Sequence, residues 1–156
     1  MNEKKFTAWC GLCCIDCIPS NKDLFNLAHK LEEKLSYLQF DEYAKLKAEK
    51  NPAFEDYPVF IKILKEIKSL KCSIPCREGG GKPVCEIRNC VQDKGCLGCW
   101  ECGDRCSCTK LDYLRSVHPS LDYHLDLIGK YGPENWFSKR GIHYRWQKES
   151  AIKKTP

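Results

Sequence analysis

Cys96-Leu97-Gly98-Cys99-Trp100-Glu101-Cys102-Gly103-Asp104-Arg105-Cys106-Ser107-Cys108 places five thiols in thirteen residues. No hydrophobic period runs through it, so neither an amphipathic helix nor a half-buried strand accounts for the stretch. Cys99 and Cys102 flank two residues, the spacing of a knuckle that aims two thiolates and nearby backbone N–H groups at one ion. Gly103, after the second thiol, is expected to supply a positive φ. A second pair, or two single cysteines, would complete a tetrahedral four-cysteine zinc site. Cys96, Cys99, Cys102 and Cys106 also match the bacterial ferredoxin run that wraps a 4Fe-4S cluster, with Ser107 in place of the usual proline. A ferredoxin would carry a second such run, and the sequence has none.

Working outward, Cys72-x3-Cys76 and Cys85-x4-Cys90 supply two further pairs, separated by Gly79-Gly80-Gly81, which reads as a flexible turn. With Pro75, Pro83, Gly95 and Gly98, these residues make 72–108 a loop-and-turn region that cannot assemble a core unaided. Metal cross-links would provide the missing organisation. Nine of the thirteen cysteines fall there, and Cys10, Cys13, Cys14 and Cys17 form a second block. Cys10-x3-Cys14-x2-Cys17 has the spacing of the radical S-adenosylmethionine cluster motif, but the chain lacks the βα units of that barrel. A disulfide scaffold conflicts with the odd count, the adjacent Cys13 and Cys14, and a start without an apolar signal region. No apolar run approaches the ~18 residues of a membrane span. The expectation is a soluble, cytoplasmic protein with no membrane partner.

The candidate ligands are therefore Cys10, Cys14, Cys17, Cys72, Cys76, Cys85, Cys90, Cys96, Cys99, Cys102, Cys106 and Cys108. They would hold two or three zinc ions, with a 4Fe-4S cluster as the alternative. The four histidines read as ordinary surface or hydrogen-bonded core residues, His118 being the one to test as a stray ligand. Gly79-Gly80-Gly81-Lys82-Pro83 lacks the phosphate-loop spacing, and no catalytic residue is assigned. The formal charge of +5 suggests nucleic acid only while thiols count as neutral. Twelve thiolates around three divalent ions carry six negative charges beyond those of the ions and turn +5 into −1.

Around the cysteine blocks the pattern is helical. Ser20, with Asp23 three residues on, reads as a helix cap. Leu24, Leu27, Ala28, Leu31, Leu35 and Leu38 follow at helical spacing. A second helix follows Asp41, and Tyr57-Pro58 opens a third with Phe60, Ile63, Leu64, Ile67 and Leu70 on one side. Leu111, Leu114 and Val117 suggest a short helix, and Ser120 caps another that carries Leu121, Leu125 and Ile128 to a stop at Gly129. Trp136 and Phe137 follow on a further turn. The fold class is mainly α, a helical scaffold with irregular cysteine-rich metal-binding loops and room for a small α+β element. One domain is expected over 1–148, with metal segments 10–17 and 72–108, helical segments 20–71 and 109–140, and a polar tail over 149–156.

The ordered pattern Cys10-Gly11-Leu12, Cys14, Cys17, Cys72, Cys76, Cys85-Glu86-Ile87-Arg88-Asn89-Cys90, Cys99-Trp100-Glu101-Cys102 and Cys108-Thr109-Lys110-Leu111 resembles a known family. It is the cysteine-rich bacterial and archaeal family called domain of unknown function thirty-seven ninety-five. The Tyr113–Tyr144 region, with Leu114, His118, Ile128-Gly129-Lys130 and His143-Tyr144, is also similar to it. The resemblance implies no activity. It sorts the thiols, leaving Cys13, Cys96 and Cys106 outside the family pattern, and so removes two of the four ferredoxin-type ligands. The expected function is a metal-binding protein with structural zinc that presents a surface to a protein partner. An iron–sulfur redox protein or cluster-dependent enzyme subunit stands second, and a nucleic-acid-binding zinc module third.

Overall fold

The computed structural model describes residues 3–147, and the tail read over 149–156 lies outside them. The chain forms two compact units, one of residues Ile18–Lys71 and one built from the segments on either side.

The inserted unit is three helices, α1 (Lys22–Tyr37), α2 (Phe40–Ala48) and α3 (Tyr57–Ser69), packed on one another. Asn21, not Ser20, caps α1: its side chain accepts the Leu24 N–H at 3.0 Å, while Ser20 ends a short 3-10 turn. Asn51 likewise accepts from Ala53, and Pro52 starts the 3-10 turn that leads into α3. Phe40 lies 5.3 Å from both Tyr43 and Tyr57, and the Lys68–Glu32 ion pair ties α3 to α1. The leucine stripe expected to face inward does not all do so. Phe25, Ala28, Ala44 and Leu64 are buried, whereas Leu27 is 66% exposed and Leu24, Leu31, Leu38, Phe60, Ile63 and Leu70 are exposed too. A three-helix unit this small has too little interior to cover every apolar position.

In the other unit the region 72–108 is not loop throughout. α4 (Glu86–Asp93) follows directly on Cys85, carries Cys90 and buries Val91. Two turns of helix are too short to show a sustained period, which is why the sequence hides it. α5 (Asp112–Val117) and α6 (Leu121–Tyr131) follow. α6 runs through Gly129 and stops at Gly132, whose φ of 81° is in the left-handed region and whose N–H donates to the Ile128 carbonyl at 2.8 Å. Gly129 lies inside the helix, where a Cβ would make only an ordinary contact with the Trp100 carbonyl at 3.8 Å. The Ser120 side chain does not cap α6. Leu111, Leu121, Leu125, Ile128 and Trp136 are almost wholly excluded from solvent and form the core with Cys13, Cys99 and Trp100.

The fold is mainly α, with cysteine-rich loops laid on the core. Among the described residues, β pairing is limited to one antiparallel bridge between Thr7 and Cys13. No helix among them is long and apolar enough to cross a membrane.

Candidate metal centre

All thirteen thiols are free. Two loops bring the first group together. The N-terminal loop is pinned by Ala8 N–H to the Leu12 carbonyl at 2.8 Å and ends in the 3-10 turn Cys14–Asp16. Against it lies the turn that begins at Cys76. The backbone at Cys76 favours the thiolate of Cys14, that at Trp9 the thiolate of Cys76, and that at Leu12 the thiolate of Cys10. Burial pushes the Cys14 thiol up to about 11; the Cys76 backbone opposes this, and negative charge on Cys76, Cys17 or Cys72 would add to it. Cys17 is raised by burial and responds to Cys72, with the Tyr144 hydroxyl acting the other way. Cys14, Cys17, Cys72 and Cys76 therefore share one electrostatic neighbourhood although their two pairs are far apart in sequence.

The second group lines a cavity of about 250 Å³ beside α4. Cys90, Cys96, Cys99, Cys102 and Cys108 contribute sulfur, and Ile87, Val91 and Leu111 form an apolar wall. Cys99 opens the 3-10 turn Cys99–Glu101 and is anchored by its N–H to the Trp9 carbonyl at 2.8 Å. Burial pushes its thiol up to about 12, and charge on Cys108, Cys102, Cys90 or Cys85 adds to that rise. Lys94 Nζ lies 3.5 Å from Cys102 Sγ and 2.6 Å from Asp104 Oδ2. Cys10 and Cys85 fall between the groups: Cys10 is raised chiefly by burial and responds to Cys76, Cys99 and Cys85. A thiol raised by burial among other thiols favours deprotonation only when a cation arrives, and a coordinating metal supplies that cation.

Other sequence-based candidates stand apart. Cys106 is exposed, next to the Arg105 guanidinium, so the ferredoxin-like run is broken at its fourth member. Cys13 is buried in the core, held by its backbone N–H to His143 Nε2 at 2.7 Å and its carbonyl to the Tyr144 hydroxyl at 3.1 Å. Gly103 does not take a positive φ. Gly98, before the turn, is the constrained glycine, since a Cβ there would sit 2.1 Å from the Trp100 ring. Among the described residues, no three of the His, Cys, Asp and Glu side chains already stand close enough to share one ion.

Three arginines organise these loops, and sequence reading assigned none of them. Arg77 lies 4.3 Å from the Trp9 ring centroid and 5.4 Å from that of Trp100, donating to the Thr7 and Leu97 carbonyls. Arg88 donates to the carbonyls of Gly80, Lys82 and Pro83, and so ties down the glycine run. Arg115 donates to the carbonyls of Cys108 and Arg105. Their one sequence signal is proximity to cysteines, which suggested thiolate compensation. The planar guanidinium instead gathers several carbonyls at once. Gly80 is more than a flexible link: a Cβ there would fall 1.6 Å from the Ile74 carbonyl.

His118, His124 and His143 are buried, all three depressed by burial, and His143 is pushed down to about 2. His118 packs edge-on against Tyr144 at 4.9 Å and Trp146 at 5.8 Å. His29 is exposed beside Glu33.

A family described as protein of unknown function (DUF3795) matches residues 6–113. The chain belongs to this family. The DUF3795 match takes in every cysteine of both blocks and ends at Tyr113, so it gives no support to the similarity read over Tyr113–Tyr144. His143 and Tyr144, which grip the Cys13 backbone, lie outside the matched DUF3795 segment. Neither a curated protein nor a solved structure matches the chain.

Proposed function

We propose that this protein binds metal through cysteine thiolates, with a zinc ion held in a structural site by Cys14, Cys17, Cys72 and Cys76, and that the domain so cross-linked serves as an interaction module. The observation that carries this reading is that Cys14 and Cys17 lie near enough to Cys72 and Cys76 for charge on one pair to act on the other, although the 18–71 insertion separates the pairs in sequence. Hydrogen bonds to the charged form favour it, so the backbone groups beside Cys14 and Cys76 suit a thiolate. The donor set is all sulfur, which fits a thiophilic ion closed to substrate. Arg88 and Arg77 lie close enough for their charges to lower Cys76. The exposed apolar positions of α1 and α3 support a surface offered to a protein partner.

Structural zinc contributes ~10–16 kcal/mol in peptide systems, as much as the whole stability of a domain. Purification under anaerobic conditions with elemental analysis should recover zinc. Chelation should then abolish the near-UV dichroism of the buried tryptophans and open residues 72–108 to protease. Retained dichroism with unchanged protease resistance after zinc removal would overturn the reading.

A further inference from the structure

The cavity beside α4 calls for a different occupant from the first thiol group. A zinc ion sits ~2.3 Å from each of four sulfurs and fills the centre of its own site. The cavity measures about 250 Å³, room for roughly eight waters at ~30 Å³ each, and five thiols line it. The rest of its lining mixes the apolar Ile87, Val91 and Leu111 with polar side chains, among them the cations Lys94, Arg105 and Lys110. An occupant that large, ligated by soft sulfur and met by cationic side chains that suit an anionic centre, is polynuclear.

We propose that this cavity takes a 4Fe-4S cluster ligated by Cys90, Cys99, Cys102 and Cys108. The inference rests on the thiolate-metal reading above and deepens it. These four thiols line the cavity together, while the fifth, Cys96, turns its Sγ to the Lys94 carbonyl at 3.8 Å. The ligand set differs from the one the linear spacing suggests. Cys106 of the ferredoxin-like run is exposed, and Cys96 lines the cavity as a thiol in excess of the four required. Lys94, beside Cys102, supplies positive charge to a four-thiolate cluster that carries a net negative one. Loading from a preformed cluster carried by a small thiol is a ligand exchange. Each iron–sulfur bond to the carrier breaks as one to a cysteine forms, the cysteine proton leaves with the carrier thiol, and no iron changes oxidation state.

The test offers the zinc-loaded full-length chain, anaerobically, a synthetic 4Fe-4S cubane carried by a small alkyl thiol. After gel filtration, iron, acid-labile sulfide and zinc are counted. The expected result is equimolar iron and sulfide with broad charge-transfer absorption. Uptake should be unchanged in Cys96→Ser and Cys106→Ser and fall at least tenfold in Cys90→Ser/Cys108→Ser, which should keep its zinc. Undiminished uptake in Cys90→Ser/Cys108→Ser, or uptake lost in Cys106→Ser, would overturn the assignment. So would a wild-type chain that takes up no sulfide. Alkylation footprinting of the wild-type chain gives a second readout that does not depend on a variant folding. Loading should protect Cys90, Cys99, Cys102 and Cys108 and leave Cys96 and Cys106 labelled; protection of Cys96 and Cys106 instead would overturn it. Zinc absent from a chain that still takes up the cluster counts against the zinc site alone.

Discussion

Replacing Arg140 by methionine should be among the most damaging single changes outside the thiol groups. The Arg140 side chain is 5% exposed and that of Asp16 is 8% exposed. Nε and Nη2 donate to the two carboxylate oxygens at 2.6 and 2.8 Å, and Nη1 donates to the Phe137 carbonyl at 2.6 Å. Methionine fills much of the volume but leaves the Asp16 carboxylate buried without its bidentate cation. Breaking a buried pair by removing one partner costs ~3–5 kcal/mol. That is a large share of the 5–15 kcal/mol typical of a whole domain. Asp16 stands between Cys14 and Cys17 on the 3-10 turn, so the loss should also speed release of zinc from that turn. The assay is urea unfolding of the zinc-loaded chain, followed by tryptophan fluorescence and checked for a constant m value. Arg140→Met should lower stability by about 3–5 kcal/mol, and Asp16→Asn added to it should recover more than half, since no buried charge then remains. A loss below about 1 kcal/mol, the level of a surface pair, would refute the reasoning.

Acid should weaken the fold through the buried imidazoles. His143 is held down to about 2 by burial, and its Nε2 already accepts the Cys13 N–H, so the unfolded chain takes up the proton first, near pH 6.5. Stability should be complete above that pH and fall below it by about 1.4 kcal/mol per pH unit for this group, with His118 and His124 acting in the same direction. His143→Gln should flatten the acid limb of a denaturant-midpoint curve, and an unchanged limb would count against the burial argument. Gly80→Ala should disrupt the loop between Cys76 and Cys85, seen as a lowered thermal midpoint and faster zinc loss. Gly103→Ala, where an added methyl meets nothing within 4 Å, should stay within about 0.5 kcal/mol of the parent. Arg77→Gln removes a cation between two indoles and donors to two loops, and should cost about 2 kcal/mol by urea midpoint with a shift in tryptophan emission. An unaltered spectrum would mean that the stack is not formed in solution.

The helical scaffold was legible where periodicity is long, as in α1, α3 and α6, and where turn chemistry is explicit, as at Asn51-Pro52. α4 was not, because eight residues give no sustained period and a cysteine precedes its first turn. Burial was read only in part for α1: Ala28 of the stripe is enclosed as expected, but Leu24, Leu27, Leu31 and Leu38 are exposed while Phe25, outside the stripe, is buried, a choice made by tertiary packing rather than by helix pattern. The place of Cys13 in the core, the exposure of Cys106 and the recruitment of Cys90 to the α4 cavity depend on contacts far apart in sequence, such as Cys13 with His143. Spacing along the chain carries no information about these. The Asp16–Arg140 pair, 124 residues apart, was invisible for the same reason.

The 18–71 insertion has a consequence for biosynthesis. A ribosome exposes the Cys10–Cys17 loop first, and the thiols that share its neighbourhood at Cys72 and Cys76 follow more than fifty residues later. At ~5–20 residues per second, that interval lasts roughly 3–11 s. During it the three-helix unit can fold on the nascent chain, while four early cysteines wait without partners. The His143 and Tyr144 contacts to Cys13 arrive later still. The Cys10–Cys17 loop is thus made well before the residues that complete it, so an oxidant or competing ion has its best access during translation.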